Sequence, residues 1–393
     1  MKLKQSVVMF LILFALLSSV CFGIAVAKIY PTESTEPEIV EDVIPESFVR
    51  TINGNEDVPK EVMNVITSYM DDYFKSIYTL EFVDTSKYFK QNIDGEVSNQ
   101  AIKLVIESRK LYDFDFTMSD AHYDLHITNC ENVNGKYQID FLEDDYFCFK
   151  FLDGISSETY DIENSMVIEK VGDEYKIASY EKIQGYYSMF NDEKDNTPLN
   201  DLYNFYLDRL TKVYEDENYK KDVASTKPYH SDKTFDIKYD RDSACKYIQT
   251  YYHTRNDDYY NFSDEGGNCQ NFASQSLLVG GMLMDDEGEY QWYYNDHLDY
   301  VPAWVHVGTF ADYSQNNEGR GLVCESYVNN IYYAEPGDII QVGISSVSHT
   351  TVVSRIVNGH ILLNSNSIDM KDFPLEAYTY PTRKLIKILG SNS

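Results

Sequence analysis

One cysteine stands where a nucleophile would be expected. Cys269 follows two glycines and Asn268 at the start of an apolar-periodic run, so the pattern predicts a loop that enters a helix at this residue. The positive end of a helix dipole stabilises a thiolate, and the first N–H groups of the helix can hold an oxyanion. Cys269 is therefore the candidate nucleophile.

A thiolate nucleophile needs a base, and His349 is the candidate. It opens an alternating apolar stretch that predicts a strand, and the Asn-Gly pair at 358–359 predicts a hairpin turn into the next strand. Asn364 and Asn366 on that next strand point to one face, because strand side chains repeat every two residues. Either asparagine can orient the imidazole as the third member of a triad.

The remaining histidines and acidic runs do not predict a metal site. His297, His306 and His360 have no partners at metal-ligand spacing, so we interpret them as surface residues. The acidic run at 285–289 lacks the full calcium-loop pattern and is interpreted as a solvated loop. We expect no metal and no cofactor.

Composition excludes several classes of protein. Of 393 residues, 43% are apolar and 15% aromatic, which excludes disorder along the whole chain. Lys and Arg total 33 against 64 Asp and Glu, and the net charge of −31 argues against nucleic-acid binding. The same charge argues against unaided adsorption to an anionic membrane.

The first 27 residues predict an export signal. Lys2 and Lys4 precede an apolar stretch from Val7, and the Ala-Val-Ala run at 25–27 provides a small-x-small cleavage site. Cleavage after Ala27 is the preferred interpretation, and an uncleaved membrane anchor is the alternative. Either outcome predicts a secreted or cell-surface protein.

Five cysteines remain after residue 27, and an odd number leaves at least one thiol free. Cys130 and Cys148 lie on neighbouring predicted strands and could pair. Cys245 occupies an apolar helical position and is interpreted as a core residue.

The chain divides by pattern into five parts, and the fold class is α+β. Helical spacing begins near residue 58 and recurs over about 97–112, and strand patterns follow at 119–130, 136–152, 158–170 and 174–184. This order resembles the cone-shaped fold of the nuclear transport factor type. The predicted parts are a signal peptide at 1–27, an exposed linker at 28–55, an α+β accessory domain at 56–190, a helical and polar linker at 191–235, and a catalytic domain at 236–393.

The C-terminal part resembles the bacterial putative amidase domain family of the papain-like superfamily. That superfamily includes the CHAP and NlpC types of cysteine peptidase and amidase, which cut peptide and amide bonds of the cell wall. The motifs that carry the resemblance are YDRDSACKYIQTY at 239–251, GGNCQNFASQSL at 266–277, Ala303-Trp304-Val305, PGDIIQ at 336–341, the strand that begins at His349, and SIDMKDFPL at 367–375.

The resemblance implies roles for individual residues. Cys269 would be the nucleophile, His349 the base and Asn366 the orienting residue, at a position where relatives often have His. Tyr259 and Tyr260 lie where relatives place a tyrosine near the oxyanion, and Tyr260 is the candidate substrate-binding residue. Trp304 is either a wall of the substrate site or a buried tryptophan beneath a loop.

Together these features predict an exported cysteine amidase or endopeptidase that acts on a cell-wall amide or peptide bond. Its partner would be peptidoglycan or another wall peptide, and we expect a monomer. The alternative is a non-catalytic surface or wall-binding protein with a relic amidase domain. A glycan hydrolase that uses two carboxylates is a third hypothesis, although the sequence singles out no such pair.

Overall fold

The fold is α+β, as the sequence predicts. The structure is a computed structural model that describes residues 44–54, 57–90 and 93–393, so the predicted signal peptide at 1–27 lies outside the described residues. The helices are α1 (Lys60–Thr79), α2 (Ile93–Arg109), α3 (Gly185–Asn191), α4 (Leu199–Thr226), α5 (Arg241–Tyr251), α6 (Cys269–Val279), α7 (Pro302–Val305) and α8 (Val307–Asn316). In the described part of the chain, no helix combines the length and the apolar character needed to cross a bilayer.

The four strands predicted between residues 119 and 184 are present close to those positions. They are β1 (Val49–Gly54), β2 (Met118–Val133), β3 (Lys136–Phe149), β4 (Ser156–Val171), β5 (Glu174–Lys182), β6 (Ile237–Lys238), β7 (Tyr294–Asp296), β8 (Asp299–Tyr300), β9 (Gly321–Val328), β10 (Ile339–Gly343), β11 (His349–Val357), β12 (His360–Ser365), β13 (Asp369–Pro374) and β14 (Thr382–Asn392).

The N-terminal half packs two helices on an antiparallel meander. β2, β3, β4 and β5 pair in succession, and the apolar sides of α1 and α2 cover them. Asn134 and Gly135 both have positive φ, at 54° and 84°, which is the backbone that a two-residue hairpin turn requires. The end of the predicted linker forms β1, which pairs in parallel with β2. The likeness to a nuclear transport factor cone stays a prediction.

The C-terminal half is built on the strands β9 to β14. β11 lies between β10 and β12, and α5, α6 and α8 cover one face of this sheet. Val352 packs on the helix-covered face, and Val353 packs in a second core on the other face. The alternation of strand side chains therefore separates two apolar cores, and α6 lies against the first of them.

One sheet runs through both halves. Asp369 pairs with Tyr160, and the next two residues of β13 continue the ladder along β4. The Lys371 ammonium lies 2.9 Å from a carboxylate oxygen of Glu158 at this junction. Residues 45–393 form one compact unit. The predicted domain boundaries stay a prediction, but strand pairing across position 236 argues against independent folding of the C-terminal part.

The predicted linker at 191–235 is largely the helix α4, which also packs on the C-terminal half. Glu217 of α4 and Arg383 of β14 form an ion pair, in which one guanidinium nitrogen lies 2.9 and 3.0 Å from the two carboxylate oxygens. Both side chains are almost fully buried. Removing one partner of such a pair typically costs about 3–5 kcal/mol, so α4 is a structural part of the fold.

The cysteine pairing suggested by the sequence is wrong. β2 and β3 are neighbours, but Cys130 lies opposite Ile139 and Cys148 lies opposite Asp120, near the other end of the ladder. Cys148 is a free thiol, as are Cys245, Cys269 and Cys324. A sequence pattern can predict that two strands are neighbours, but it does not show which residues lie opposite each other, as a disulfide requires.

Candidate active site

Cys269 is the first residue of α6, as the sequence predicts. Gly266 and Gly267 precede it with φ of 103° and 115°, a backbone that residues with a Cβ rarely adopt. A Cβ on Gly267 would also lie 3.3 Å from the Ser367 hydroxyl. The two glycines therefore let the loop turn sharply against the C-terminal sheet and deliver Cys269 to the helix start.

Asn268 holds this loop together. Its side-chain oxygen accepts hydrogen bonds from the backbone N–H of Phe262 at 3.2 Å and from the amide of Asn271 at 2.8 Å. Its own amide donates to the side-chain oxygen of Asn366 at 2.7 Å. Asn268 thus uses both ends of its side chain to fix the residue next to Cys269.

The Cys269 sulfur is buried among backbone donors. Burial raises the pKa of the thiol, and the N–H groups of Thr350, Gln270 and Cys269 itself oppose that rise. The direction is opposite to the depressed pKa expected of an activated thiolate. In this folded state the thiol is neutral at pH 7.

The strand that carries His349 meets the first turn of α6. His349 opens β11, and the Thr350 hydroxyl donates a hydrogen bond to the side-chain oxygen of Gln270 at 2.9 Å. The backbone N–H of Thr350 also points at the Cys269 sulfur. The fold therefore brings the candidate nucleophile beside the residue that follows the candidate base.

The His349 imidazole has no fixed partner. Its Nε2 is buried without a hydrogen bond, and no hydrogen bond to Cys269 occurs among the described residues. Burial lowers the pKa of His349 to about 4. Both members of the candidate pair are consequently neutral at pH 7, and no side chain in the described part of the chain orients the imidazole by a hydrogen bond.

The two candidate orienting residues have other partners. The Asn366 amide donates to the backbone oxygens of Tyr251 at 3.0 Å and Tyr252 at 3.3 Å, and its side-chain oxygen accepts from Asn268. The Asn364 amide donates to the backbone oxygen of Ile248 at 3.2 Å. In this arrangement Asn366 holds the loop before Cys269 and does not orient His349.

The two predicted substrate-binding residues lie at different depths. Trp304 is fully buried, and its indole N–H donates to the side-chain oxygen of Asn271 at 2.8 Å. It therefore supports α6 from below and does not line a substrate surface. Tyr260 is exposed near the helix start. Its backbone oxygen accepts from Asn271 at 3.0 Å, and its hydroxyl donates to a Glu265 carboxylate oxygen at 2.8 Å.

Two features were not foreseen from the sequence, one in the site and one outside it. Gln270 and Thr350 form the contact that joins helix to strand, and the signal for it was their position beside Cys269 and His349. His360 is buried and not a surface residue, because its Nδ1 lies 2.9 Å from a Glu376 carboxylate oxygen and its ring packs on Phe114.

A comparison with models of known protein families finds a match in the part of the chain that contains Cys269 and His349. Residues 238–389 match the family described as "Putative amidase domain". The resemblance predicted from the sequence motifs is thereby confirmed for the C-terminal part. Because the matched domain is of the amidase type, the chemistry it indicates is hydrolysis of an amide bond.

A second comparison finds a relative in Bacillus subtilis (strain 168). The chain is 31% identical over 142 residues to its "Uncharacterized protein YhbB". The aligned part is 34% of this chain and 43% of the relative, so the chain spans less than half the length of the relative it matches.

Proposed function

We propose that the amidase-type part of this protein is a cysteine amidase or endopeptidase, with Cys269 as nucleophile and His349 as base. The observation that carries the proposal is the position of the Cys269 sulfur. It lies at a helix start, beneath three backbone N–H groups, and one of them belongs to Thr350, the neighbour of His349. A buried sulfur among such donors is placed to attack a carbonyl whose oxygen the same donors then receive.

The neutral state of the pair defines the order of proton movements. The Cys269 thiol attacks the amide carbon while the His349 imidazole accepts its proton, which forms a tetrahedral intermediate. The N–H groups of Cys269 and Gln270 bind the oxyanion. His349 then gives the proton to the leaving amine, and the C–N bond breaks to leave a thioester on Cys269. Water hydrolyses the thioester with His349 again as base.

The proposed substrate is a peptide or amide bond of the bacterial cell wall, and the proposed location is outside the cytoplasm. The sequence of residues 1–27 supports export, and the CHAP and NlpC resemblance supports a wall substrate. The partner would then be peptidoglycan or another wall peptide. Tyr260, exposed beside the start of α6, is the side chain we expect to contact it.

A non-catalytic surface module is the second candidate, and one observation favours it. Among the described residues the buried Nε2 of His349 has no hydrogen-bond partner, and loss of the group that orients a catalytic imidazole lowers the rate strongly. In that case the domain binds wall polymer and the Cys269 thiol is a packed residue.

Digestion of purified peptidoglycan separates the two candidates. Mass analysis should reveal new amine and carboxylate ends, and Cys269→Ser should abolish their formation. Cys148→Ser is the matched control, because Cys148 lies on β3 in the other half of the chain. Binding of peptidoglycan by the wild type without any new ends would support the non-catalytic module and contradict the hydrolase.

A further inference from the structure

Three potential metal ligands meet where the two halves of the sheet join. Asp161 lies on β4, His253 follows the end of α5, and Asp369 opens β13. Their side-chain ligand atoms all lie within 4.8 Å of one another. The three residues are far apart in the sequence, so only the folded chain assembles them.

The two distances from His253 to the carboxylates are longer than a usual hydrogen bond and compatible with a shared ion. His253 Nδ1 lies 3.4 Å from Asp369 Oδ2 and 3.7 Å from Asp161 Oδ2. Hydrogen bonds between nitrogen and oxygen are usually about 2.7–3.2 Å long. Tetrahedral ligands at about 2.0–2.1 Å from one metal ion lie about 3.3 Å from each other.

The His253 imidazole is held by ring packing, and its Nδ1 faces two carboxylates. Its ring stacks on Tyr160 with 4.4 Å between the ring centroids. Its Nδ1 is buried and makes no hydrogen bond among the described residues. A buried imidazole nitrogen aimed at two carboxylates needs either a proton or a cation between them.

One of the three proposed ligands is buried, and solvent can reach the other two. The Asp369 side chain is 3% exposed, whereas those of Asp161 and His253 are 51% and 39% exposed. The Asp161 and Asp369 carboxylates both face His253 Nδ1, so two negative charges repel each other here. A bound cation would relieve this repulsion, and water could complete its coordination from the open side.

Arg255 is the group that competes with a cation here. Its guanidinium donates to both Asp369 oxygens, at 2.8 and 3.1 Å. Each carboxylate oxygen can accept twice, so Asp369 retains a lone pair for a metal ion. The charge of Arg255 limits the affinity and argues for an ion that gains from the imidazole ligand.

We propose that Asp161, His253 and Asp369 bind one divalent transition-metal ion of the Zn²⁺ type. Imidazole suits zinc and its neighbours, whereas calcium and magnesium prefer a shell of oxygens alone. The ion connects β4 of the N-terminal half to β13 of the C-terminal half. The proposal replaces the expectation of no metal, and it does not depend on Cys269 being a nucleophile.

The site is linked by short contacts to the start of α6. The backbone N–H of Ser367 donates to Asp369 Oδ1 at 3.0 Å, and the Ser367 hydroxyl accepts from the backbone N–H of Asn268. Asn268 immediately precedes Cys269. An ion on Asp369 therefore stabilises the turn against which the Cys269 loop is packed.

Calorimetric titration of the full, chelator-treated chain with ZnCl₂ tests the proposal. We expect one Zn²⁺ per chain, an affinity at least tenfold weaker in Asp161→Asn and in His253→Gln, and no displacement by excess Ca²⁺. His230→Gln is the matched control, because His230 also lies beside an aspartate but is 84% exposed. It should bind as the wild type does.

Thermal unfolding provides a second readout. Zn²⁺ should raise the unfolding temperature of the wild type and of His230→Gln, and should leave those of Asp161→Asn and His253→Gln unchanged. Circular dichroism without metal checks that the variants fold. Absence of stoichiometric binding, or equal binding by the wild type and both site variants, would overturn the proposal; a proton on His253 would then hold the two carboxylates.

Discussion

Burial of His349 should make the protein lose stability in mildly acidic solution. In the folded chain the pKa of this imidazole is about 4, whereas an unfolded chain has the ordinary value of about 6.5. Between these values the unfolded state binds more protons than the folded state, so stability falls as the pH falls. The contribution is complete above pH 6.5 and is lost by about pH 4.

The size of the effect follows from the two pKa values. Their difference corresponds to roughly 3 kcal/mol at most, and less to the extent that the exposed part of the ring stays hydrated. His349→Gln removes the titrating group but keeps a polar side chain. Between pH 7 and pH 4 the free energy of unfolding should therefore fall in both proteins, and the fall should be smaller in the variant by up to about 3 kcal/mol.

Urea unfolding followed by circular dichroism, repeated across this pH range, measures the difference. The many carboxylates contribute equally to both chains and cancel in the comparison. His230→Gln serves as the control, since His230 is exposed and its replacement should leave the pH dependence unchanged. Parallel curves for the wild type and His349→Gln would refute the claim that the imidazole is buried and neutral.

Three further predictions concern the loop, the thiol and the two halves. Alkylation of Cys269 by iodoacetamide should accelerate toward alkaline pH, above the ordinary thiol value of about 8.5, because burial raises its pKa; a plateau already reached at pH 6 would contradict this. Asn366→Ala should cost about 1–3 kcal/mol, measured by urea unfolding, because it leaves the buried side-chain amide of Asn268 without its acceptor; an unchanged midpoint would be the opposite result. Residues 236–393 expressed alone should give a broad, low-temperature unfolding transition by calorimetry, because β13 loses its partner β4; a sharp transition at the full-chain temperature would favour the independent domain predicted from the sequence.

Local patterns predicted most of the elements. The helix periods and the alternating strands of the N-terminal half appear within a few residues of their predicted bounds, and the predicted Asn-Gly turn at 358–359 has positive φ at both residues. The pairing of β4 with β13 was not foreseen. Strands some 200 residues apart leave no local signal of their register, so the continuity of the sheet had to come from tertiary structure.

The candidate site was also predictable only where a local signal exists. The glycines before Cys269 reveal a helix entry, because few other residues adopt that backbone. The direction of the Asn366 side chain was not predictable, because it depends on carbonyl groups at the end of α5 that compete for its amide. The proposed metal ligands were invisible because Asp161, His253 and Asp369 have no common spacing.

Detection of the covalent intermediate tests the central claim most directly. Peptidoglycan fragments incubated with the protein and quenched in acid should leave an acyl group on one tryptic peptide, the one that contains Cys269, as seen by mass spectrometry. The proposed mechanism predicts this adduct in the wild type, its accumulation at pH values where deacylation is slow, and its absence in Cys269→Ser together with loss of hydrolysis. Amide hydrolysis at the wild-type rate by Cys269→Ser, with no adduct on any residue of the wild type, would contradict the account.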